Sequence, residues 1–261
     1  MNRREFSAAA AAATVVGISS ANASAKETDQ QYIELRHYQS LYGSKKGLLD
    51  KFLREAAIPA LNRLGVGPVG VFSVKYGTSS PSLYVLLPHD SCESALNVNR
   101  KLLDDKQFLT DGAEFLNASL SDPSYMRMES RLMKAFSHMP KVEVPEAVKG
   151  KDSRIFEMRT YESHSEIKSK KKIEMFNEGG EIAVFRKTGL HPVFFGESLF
   201  GPQLPNLTYM LSFEDMATRD KNWRQFGKSP EWKELSGKQE YKDTVSNISD
   251  VILRPKGYSQ I

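Results

Sequence analysis

Apolar and polar residues follow the same succession of patterns in the first and second halves of the chain. In the first half, strict alternation predicts a strand over residues 32–38, and apolar side chains at helical spacing predict a helix over residues 46–64. Gly65 supplies the stop signal for that helix. Beyond it, strands are predicted at residues 68–76 and 83–87, a helical region at 91–116 and a last strand at 125–135. The predicted order is therefore β-α-β-β-α-β.

The second half predicts the same order of elements. Its strands are predicted at residues 157–161, 193–199, 207–213 and 245–253, and its helical regions at residues 170–187 and 214–235. The pair Gly179-Gly180 interrupts the first helical region at a cost of about 2 kcal/mol relative to alanine, which indicates a bend or the close approach of another helix. The order Ser229-Pro230 is a helix-start signal and predicts a separate short helix there.

Short sequence motifs recur at matching places in the two halves. ELRHYQS at residues 34–40 returns as EMRTYES at residues 157–163, and GVGPV at 65–69 returns as GLHPV at 189–193. A repeat of this length predicts two copies of one domain, at residues 31–136 and 153–256. Residues 137–152, which contain two prolines and no sustained apolar pattern, are predicted to be a linker.

A β-α-β-β-α-β unit is the ferredoxin-like fold, in which an antiparallel sheet is covered by helices on one face only. The other face must be buried, and two copies in one chain can cover each other. The sequence therefore predicts an α+β fold in which two tandem ferredoxin-like domains pack as an internal dimeric α/β-barrel. A repeat within one chain replaces a homodimer in this arrangement.

Composition excludes several classes of protein. The 261 residues are 40% hydrophobic and 26% charged, as in an ordinary globular protein. The net charge of +4 is small, and no cluster of Lys and Arg interleaves with aromatic residues, so we expect no nucleic-acid partner. Cys92 is the only cysteine, which rules out an intramolecular disulfide, and the five histidines lack the spacings of a zinc site, so we predict no metal.

The first 25 residues have the features of an export signal. Arg3-Arg4-Glu5-Phe6 forms a charged start, an alanine-rich apolar run follows over residues 8–18, and Ala23-Ser24-Ala25 fits a cleavage site. The paired arginines resemble the twin-arginine signal of bacteria. We therefore expect a periplasmic or extracellular protein. The apolar run is too short for a membrane span, so we expect none in the mature chain.

The first strand of each copy carries charged and aromatic residues on one face, because side chains alternate along a strand. They are Glu34, Arg36, Tyr38, Glu157, Arg159 and Tyr161. Since the aliphatic residues of these strands are expected to meet the helices, both charged sets are predicted to face the opposite sheet. Two interpretations are open. We favour a Glu–Arg bridge that fixes the packing; the alternative is a site where Arg36 and Arg159 bind an anion that the tyrosines orient.

His191 and Glu197 form another candidate pair, in the second strand of the second copy. Being six residues apart, they would share one face of a regular strand, where they could do acid–base work or hold a metal. The first copy has Gly67 at the position of His191, however. A lone histidine where a loop enters a strand is more often a surface or capping residue.

The shared motifs resemble the NIPSNAP family of the dimeric α/β-barrel superfamily. The likeness rests on E-L/M-R-x-Y in the first strand, the G-x-x-P-V entry to the second, and the aromatic-rich residues 223–232. It covers residues 154–255 best and the first copy more loosely. The resemblance implies a fold similar to small monooxygenases and haem-degrading proteins, but it carries no catalytic motif that could be transferred. The catalytic residues therefore stay unknown, and whether the protein is an enzyme stays open.

One main functional hypothesis and two alternatives follow. The main hypothesis is a protein that binds a small apolar or acidic ligand between sheet and helices, with no cofactor predicted. The alternatives are a cofactor-free monooxygenase or haem-handling enzyme, and a protein-interaction scaffold; a homo-oligomer is compatible with each. The aromatic side chains that could wall an apolar pocket, or form ordinary core, are Phe194, Phe195, Tyr209, Phe213, Trp223, Phe226 and Trp232.

Overall fold

The structure is a computed structural model that describes residues 29–39, 44–77 and 81–261, with the backbone alone for residues 44–46. The predicted export signal at residues 1–25 lies outside these ranges and stays a prediction. None of the helices in the described ranges has the length and apolar character needed to cross a bilayer.

The described residues form two successive β-α-β-β-α-β units. The strands are β1 Tyr32–Gln39, β2 Gly70–Tyr76, β3 Ser82–His89, β4 Arg127–Ala135, β5 Ile155–Glu162, β6 His191–Phe200, β7 Asn206–Phe213 and β8 Asn247–Pro255. The α-helices are α1 Ser44–Phe52, α2 Ile58–Arg63, α3 Cys92–Leu103, α4 Lys106–Asp111, α5 Ala113–Leu116, α6 Glu166–Phe176, α7 Glu181–Lys187, α8 Met216–Lys228 and α9 Pro230–Gly237. A π-helical turn, Leu53–Ala57, joins α1 to α2, and 3-10 turns lie at Glu146–Val148 and Gln239–Tyr241.

The strands close into one antiparallel barrel in the order β1-β3-β2-β8-β5-β7-β6-β4. Each unit contributes four neighbouring strands, and the pairs β2–β8 and β4–β6 join the two sheets edge to edge. Every strand in this closed order has a neighbour on both sides, so the barrel presents no free strand edge. The predicted α+β fold, with two tandem ferredoxin-like units packed as an internal dimeric α/β-barrel, is confirmed.

Two helix-breaking signals act as the sequence predicts. Gly180 has a φ of +85° and separates α6 from α7, because glycine adopts this left-handed conformation without the steric cost of a side chain. Ser229 Oγ accepts a hydrogen bond of 3.2 Å from the backbone N–H of Trp232, and Pro230 begins α9 as a separate helix.

The barrel interior is apolar over most of its length. Residues of both units fill it: Ile33, Leu35, Phe72, Leu86, Met133, Ala135, Phe156, Met158, Val193, Phe194, Met210, Val251 and Leu253. Because Ile33 and Leu35 point into the barrel, the alternate residues Glu34 and Arg36 point towards the helices. The prediction that the charged sets face the opposite sheet is therefore wrong. Closure leaves an interior that is apolar over most of its length and offers few hydrogen-bonding groups, whereas the helices supply partners for buried charges.

One end of the barrel interior is polar. Arg131 Nη1, from β4, donates hydrogen bonds to Thr160 Oγ1 at 3.0 Å and to Thr208 Oγ1 at 2.6 Å. The ring of His37 stacks on Tyr84 with centroids 4.3 Å apart. Arg131 belongs to the first unit and both threonines to the second, so this contact ties the two units together across the barrel.

Loss of packing inside the barrel should destabilise the whole molecule. Phe156 of the second unit packs on Phe72 of the first with ring centroids 4.8 Å apart. We expect Phe156→Ala to lower the free energy of unfolding by about 3–5 kcal/mol, because it leaves a cavity between the two sheets. Leu120→Ala, at a side chain that is 98% exposed, is the control and should cost less than about 0.5 kcal/mol. Urea unfolding measures both, and a loss at Phe156 as small as at Leu120 would show that this contact does not hold the units together.

Candidate functional site

In the first unit, the charged side of β1 lies beneath helix α3. Arg36 makes a two-pronged pair with Glu34, with Nε 2.7 Å from Oε1 and Nη2 3.0 Å from Oε2. Arg36 Nη2 also donates to Asn99 Oδ1 of α3 at 2.8 Å, and Ser130 Oγ of β4 donates to Glu34 Oε1 at 2.9 Å. Both charged side chains are buried. The pair is thus shielded from solvent and held by three elements.

Glu34 is held as a carboxylate. Burial opposes its ionisation, but the nearby His89 imidazole, the charge of Arg36, and the hydrogen bonds from Arg36 and Ser130 outweigh burial and lower the pKa of Glu34 to about 2. His89 Nε2 lies 3.5 Å from Glu34 Oε2, and its Nδ1 lies 3.1 Å from Ser94 Oγ. Because one carboxylate faces one guanidinium, the Glu34–Arg36 pair carries no net charge.

The second unit places Glu157 beneath helix α8 in the same way. Glu157 is fully buried and accepts hydrogen bonds from Arg159 Nη1 at 3.0 Å and from Trp223 Nε1 at 2.7 Å. Arg219 of α8 binds both carboxylate oxygens, with Nη2 2.6 Å from Oε1 and Nε 2.9 Å from Oε2. A Glu–Arg pair is therefore present in each unit, on the helix side of its sheet.

Aromatic side chains fill the space between sheet and helices in the second unit. Tyr161 and Tyr209 share a hydrogen bond of 2.9 Å between their hydroxyls, and the Arg159 guanidinium lies over the Trp223 ring, 4.9 Å from its centroid. The rings packed around them belong to Phe176, Phe185, Phe195 and Phe226. Of the aromatic residues predicted as pocket wall or core, Phe194 points into the barrel and the rest join this helix-side cluster. They are core.

The first unit instead has a cavity of 240 Å³ between its sheet and its helices. The apolar side chains inside it include Phe52, Leu53, Ala57, Leu61, Val85, Leu87, Leu102, Phe108 and Phe115. Its polar groups come from Arg36, Tyr38, Asn99 and Tyr125. The lining side chains that are also exposed to solvent, and so mark its opening, are Leu103, Leu116 and Met128.

Smaller strand side chains in the first unit account for part of this cavity. Arg36 of β1 lies opposite Val85 of β3, as Arg159 of β5 lies opposite Tyr209 of β7. One strand further along, Val71 lies opposite Val85, as Phe195 lies opposite Tyr209. Two valines therefore stand where the second unit has a phenylalanine and a tyrosine.

The covering helices show the same contrast. Ser91 caps α3 by accepting from the N–H of Ser94, and Asp215 caps α8 by accepting from the N–H of Thr218. At equal distances from these caps, three positions of α3 carry smaller side chains than their counterparts in α8. The pairs are Ala95 and Arg219, Asn99 and Trp223, and Leu102 and Phe226. Asn99 and Leu102 line the first-unit cavity, whereas their counterparts Trp223 and Phe226 pack in the aromatic cluster of the second unit.

His191 and Glu197 are not brought together. His191 lies opposite Ser212 of β7, Glu197 lies opposite Leu207, and a β-bulge near the start of β6 shifts the register between them. Since Ser212 and Leu207 lie on opposite faces of β7, His191 and Glu197 lie on opposite faces of β6. The predicted shared face is therefore wrong, because the strand is not regular. Both side chains are exposed.

The polar groups that line the cavity are the guanidinium of Arg36, the amide of Asn99 and the hydroxyls of Tyr38 and Tyr125. His89 is 1% exposed and is absent from the cavity lining, since it lies behind Glu34. Across the described ranges, no group of three or more His, Cys, Asp or Glu side chains is arranged to hold a metal ion.

Three important side chains were missed from the sequence. Asn99 and Arg219 contact the charged strand residues from the helices, and Tyr125 lines the cavity. The signal that could have found the first two is the repeat itself. Aligning α3 with α8 at their capping residues places Asn99 and Ala95 against Trp223 and Arg219, the residues that bind the second carboxylate.

The fold is of the dimeric α/β-barrel type, and solved structures share it over most of the chain. A candidate monooxygenase from Lactobacillus acidophilus NCFM matches with a TM-score of 0.56 and 9% identity, over 87% of this chain and 94% of that chain. A candidate monooxygenase from Fusobacterium nucleatum subsp. nucleatum ATCC 25586 matches with a TM-score of 0.56 and 8% identity, over 87% and 92%. An anthrone oxidase-like protein matches with a TM-score of 0.51 and 10% identity, over 88% and 93%. At these identities the likeness shows the fold alone.

Residues 156–260 match the NIPSNAP family model. The match begins in β5 and spans the second unit, where it supports the NIPSNAP resemblance that the strand motif predicts. NIPSNAP membership of the first unit stays a prediction. No curated protein matches the chain.

The buried Glu34 carboxylate should make stability depend on pH in acid. Its folded pKa of about 2 lies below its ordinary value of 4.5, so the stabilisation is complete above pH 4.5 and is lost as pH falls towards 2. This difference corresponds to about 3 kcal/mol. We expect NMR titration of the folded protein to show no midpoint near 4.5 for the Glu34 carboxyl.

Substitution of Glu34 separates its contribution to acid unfolding from the contributions of other carboxyl groups. Glu34→Gln should lower stability at neutral pH, because buried Arg36 loses its charged partner, and should flatten the pH dependence between 4.5 and 2. Glu114→Gln, which breaks an exposed pair with Lys51, is the control and should keep the wild-type profile. An unchanged acid profile in Glu34→Gln would show that another group carries the dependence.

Proposed function

We propose that the protein binds a small, mostly apolar ligand in the cavity of the first unit, between its sheet and its helices. The observation that carries this proposal is the contrast between the two units: the space that side chains fill in the second is open in the first. An apolar cavity costs stability when it stays empty. A concave apolar site with a few convergent polar groups and an opening to solvent is typical of a ligand site.

The lining supports a ligand with an apolar body and an oxygen atom at one end. Arg36 and Asn99 place a guanidinium and an amide at the wall of the cavity, and a carboxylate, carbonyl or hydroxyl oxygen can accept hydrogen bonds from them. Glu34 already balances the charge of Arg36. Acidic and neutral ligands therefore both fit, whereas an ammonium group would meet the guanidinium at short range.

Ligand binding ranks above enzymatic activity in this proposal. The names of the similar solved structures suggest an oxidative activity, and their likeness to this chain extends to the fold. Among the described residues that line the cavity, no contact favours the haem-handling or the scaffold alternative. We further propose that binding follows export, because residues 1–25 have the features of a signal peptide.

Filling the cavity should weaken ligand binding. Isothermal titration of the mature chain with octanoate, 1-octanol and octylamine should show binding of the acid and the alcohol and none of the amine. We expect Val85→Phe to weaken binding by at least about tenfold, because the new ring occupies the space that Tyr209 fills in the second unit. The melting temperature should not fall, since the ring enters existing space.

Leu120→Phe is the control, because it adds the same ring at a side chain that is 98% exposed. It should bind the probes as the wild type does. If Val85→Phe folds and still binds them with wild-type affinity, the binding site lies elsewhere. If neither octanoate nor octanol binds the wild type, the proposal fails.

A further inference from the structure

The surroundings of Arg159 in the second unit indicate which chemical group could lie beside Arg36 in the cavity. There the guanidinium of Arg159 lies 4.9 Å from the centroid of the Trp223 ring and 5.6 Å from that of Tyr161. These are distances at which the positive charge is attracted to the face of an aromatic ring. The strand arginine of this unit is therefore held between a carboxylate and an indole, both supplied by the chain itself.

The strand arginine of the first unit has the carboxylate but not the indole. Arg36 binds Glu34 through Nε and Nη2, whereas Arg159 binds Glu157 through Nη1 alone. At equal distances from the helix caps, Asn99 stands at the position of Trp223. Within the described part of the chain, no aromatic ring lies over the Arg36 guanidinium at cation–π distance. Arg36 instead lines the cavity.

We propose that the ligand carries a planar aromatic ring, which lies against the Arg36 guanidinium in the place that Trp223 takes beside Arg159. This inference rests on the proposed function, since it names the class of ligand that the same cavity binds. A guanidinium is planar and weakly hydrated, so it stacks on aromatic faces more readily than an ammonium does. The burial of Arg36 strengthens the attraction, because little water competes for the charge.

The remaining walls of the cavity suit the same class of ligand. Phe52 stacks on Phe115 with centroids 4.0 Å apart, Phe108 tilts against Phe52 at 5.7 Å, and Tyr125 stacks on Phe115 at 5.8 Å. All four line the cavity. An aromatic ligand can therefore pack offset or edge-to-face against these rings while its polar group meets Asn99. A fused bicyclic system matches the indole that fills the equivalent place in the second unit.

A pair of probes with one carbon skeleton tests the inference. 2-Naphthol and decahydro-2-naphthol both have two fused six-membered rings and a hydroxyl, and they differ in aromaticity. Isothermal titration of the mature wild-type chain should show about tenfold tighter binding of 2-naphthol. Arg36→Lys keeps the positive charge beside Glu34 but removes the planar guanidinium, and it should reduce this preference to about threefold or less. Arg159→Lys makes the same change in the second unit and should leave it unaltered.

A second measurement needs no substitution. In NMR spectra of the wild type, the Nε–H signal of Arg36 should move upfield on addition of 2-naphthol, because the proton enters the shielding region above the ring. Decahydro-2-naphthol should not produce this shift. If Arg36→Lys does not fold, the Nε–H shift of the wild type still shows whether the aromatic ring lies against Arg36.

The outcomes separate this inference from the proposal on which it rests. Equal affinity for the two probes, or preference for 2-naphthol without a shift at Arg36, would overturn the inference and leave a small-ligand site in place. Failure of both probes, together with failure of octanoate and octanol, would overturn the proposed function as well. Tighter binding of 2-naphthol with the Arg36 shift supports both.

Discussion

Each four-stranded sheet has one face that its own helices leave uncovered, and the burial of that face decides most of the structure. The two sheets close on each other through the pairs β2–β8 and β4–β6, so their inner faces share one largely apolar interior. Unpaired polar groups are costly there. Apolar residues such as Leu35 and Met158 consequently turn inwards, and Glu34 and Glu157 turn towards the helices. The distribution of charge on the first strand of each unit thus follows from closure of the barrel.

The charged strand residues then position the helices. Arg36 holds α3 through Asn99, and Glu157 holds α8 through Arg219 and Trp223. Hydrogen bonds that involve a charged group are stronger and more directional than apolar contacts, so they fix where each helix crosses its sheet. Once the strand residues have fixed the helix, the sizes of the side chains between helix and sheet decide whether the space between them is filled or open. The same framework therefore yields an aromatic core in one unit and a cavity in the other.

Periodicity predicted the order of elements and the helix breaks at Gly180 and Pro230, because these depend on local patterns. The repeat predicted the closed barrel, because two copies of the unit can cover each other's open sheet face. Periodicity could not predict which face of each strand lies inside the barrel and which faces the helices. Leu35 and Arg36 are both buried, so alternation shows two faces without showing which one is inside. The relation between His191 and Glu197 failed for a different reason, since one bulge reverses every later side chain. The cavity could not be predicted from the sequence. Its lining residues come from different strands and helices, and only the strand register and the position of each helix on the sheet bring them together.

The family match and the cavity lie in different units. The shared barrel interior allows one unit to contain a cavity while the other is packed with aromatic side chains. Replacing several large side chains by small ones in one site lowers the stability of that site, as it does in any core. The first unit cannot unfold alone without exposing the inner face of the second sheet, because both sheets share a single interior. The aromatic packing and paired charges of the second unit therefore also stabilise the open first unit. A single-unit homodimer would carry the same opening in both of its copies, whereas two units in one chain can keep one site filled for stability and leave the other open for a ligand.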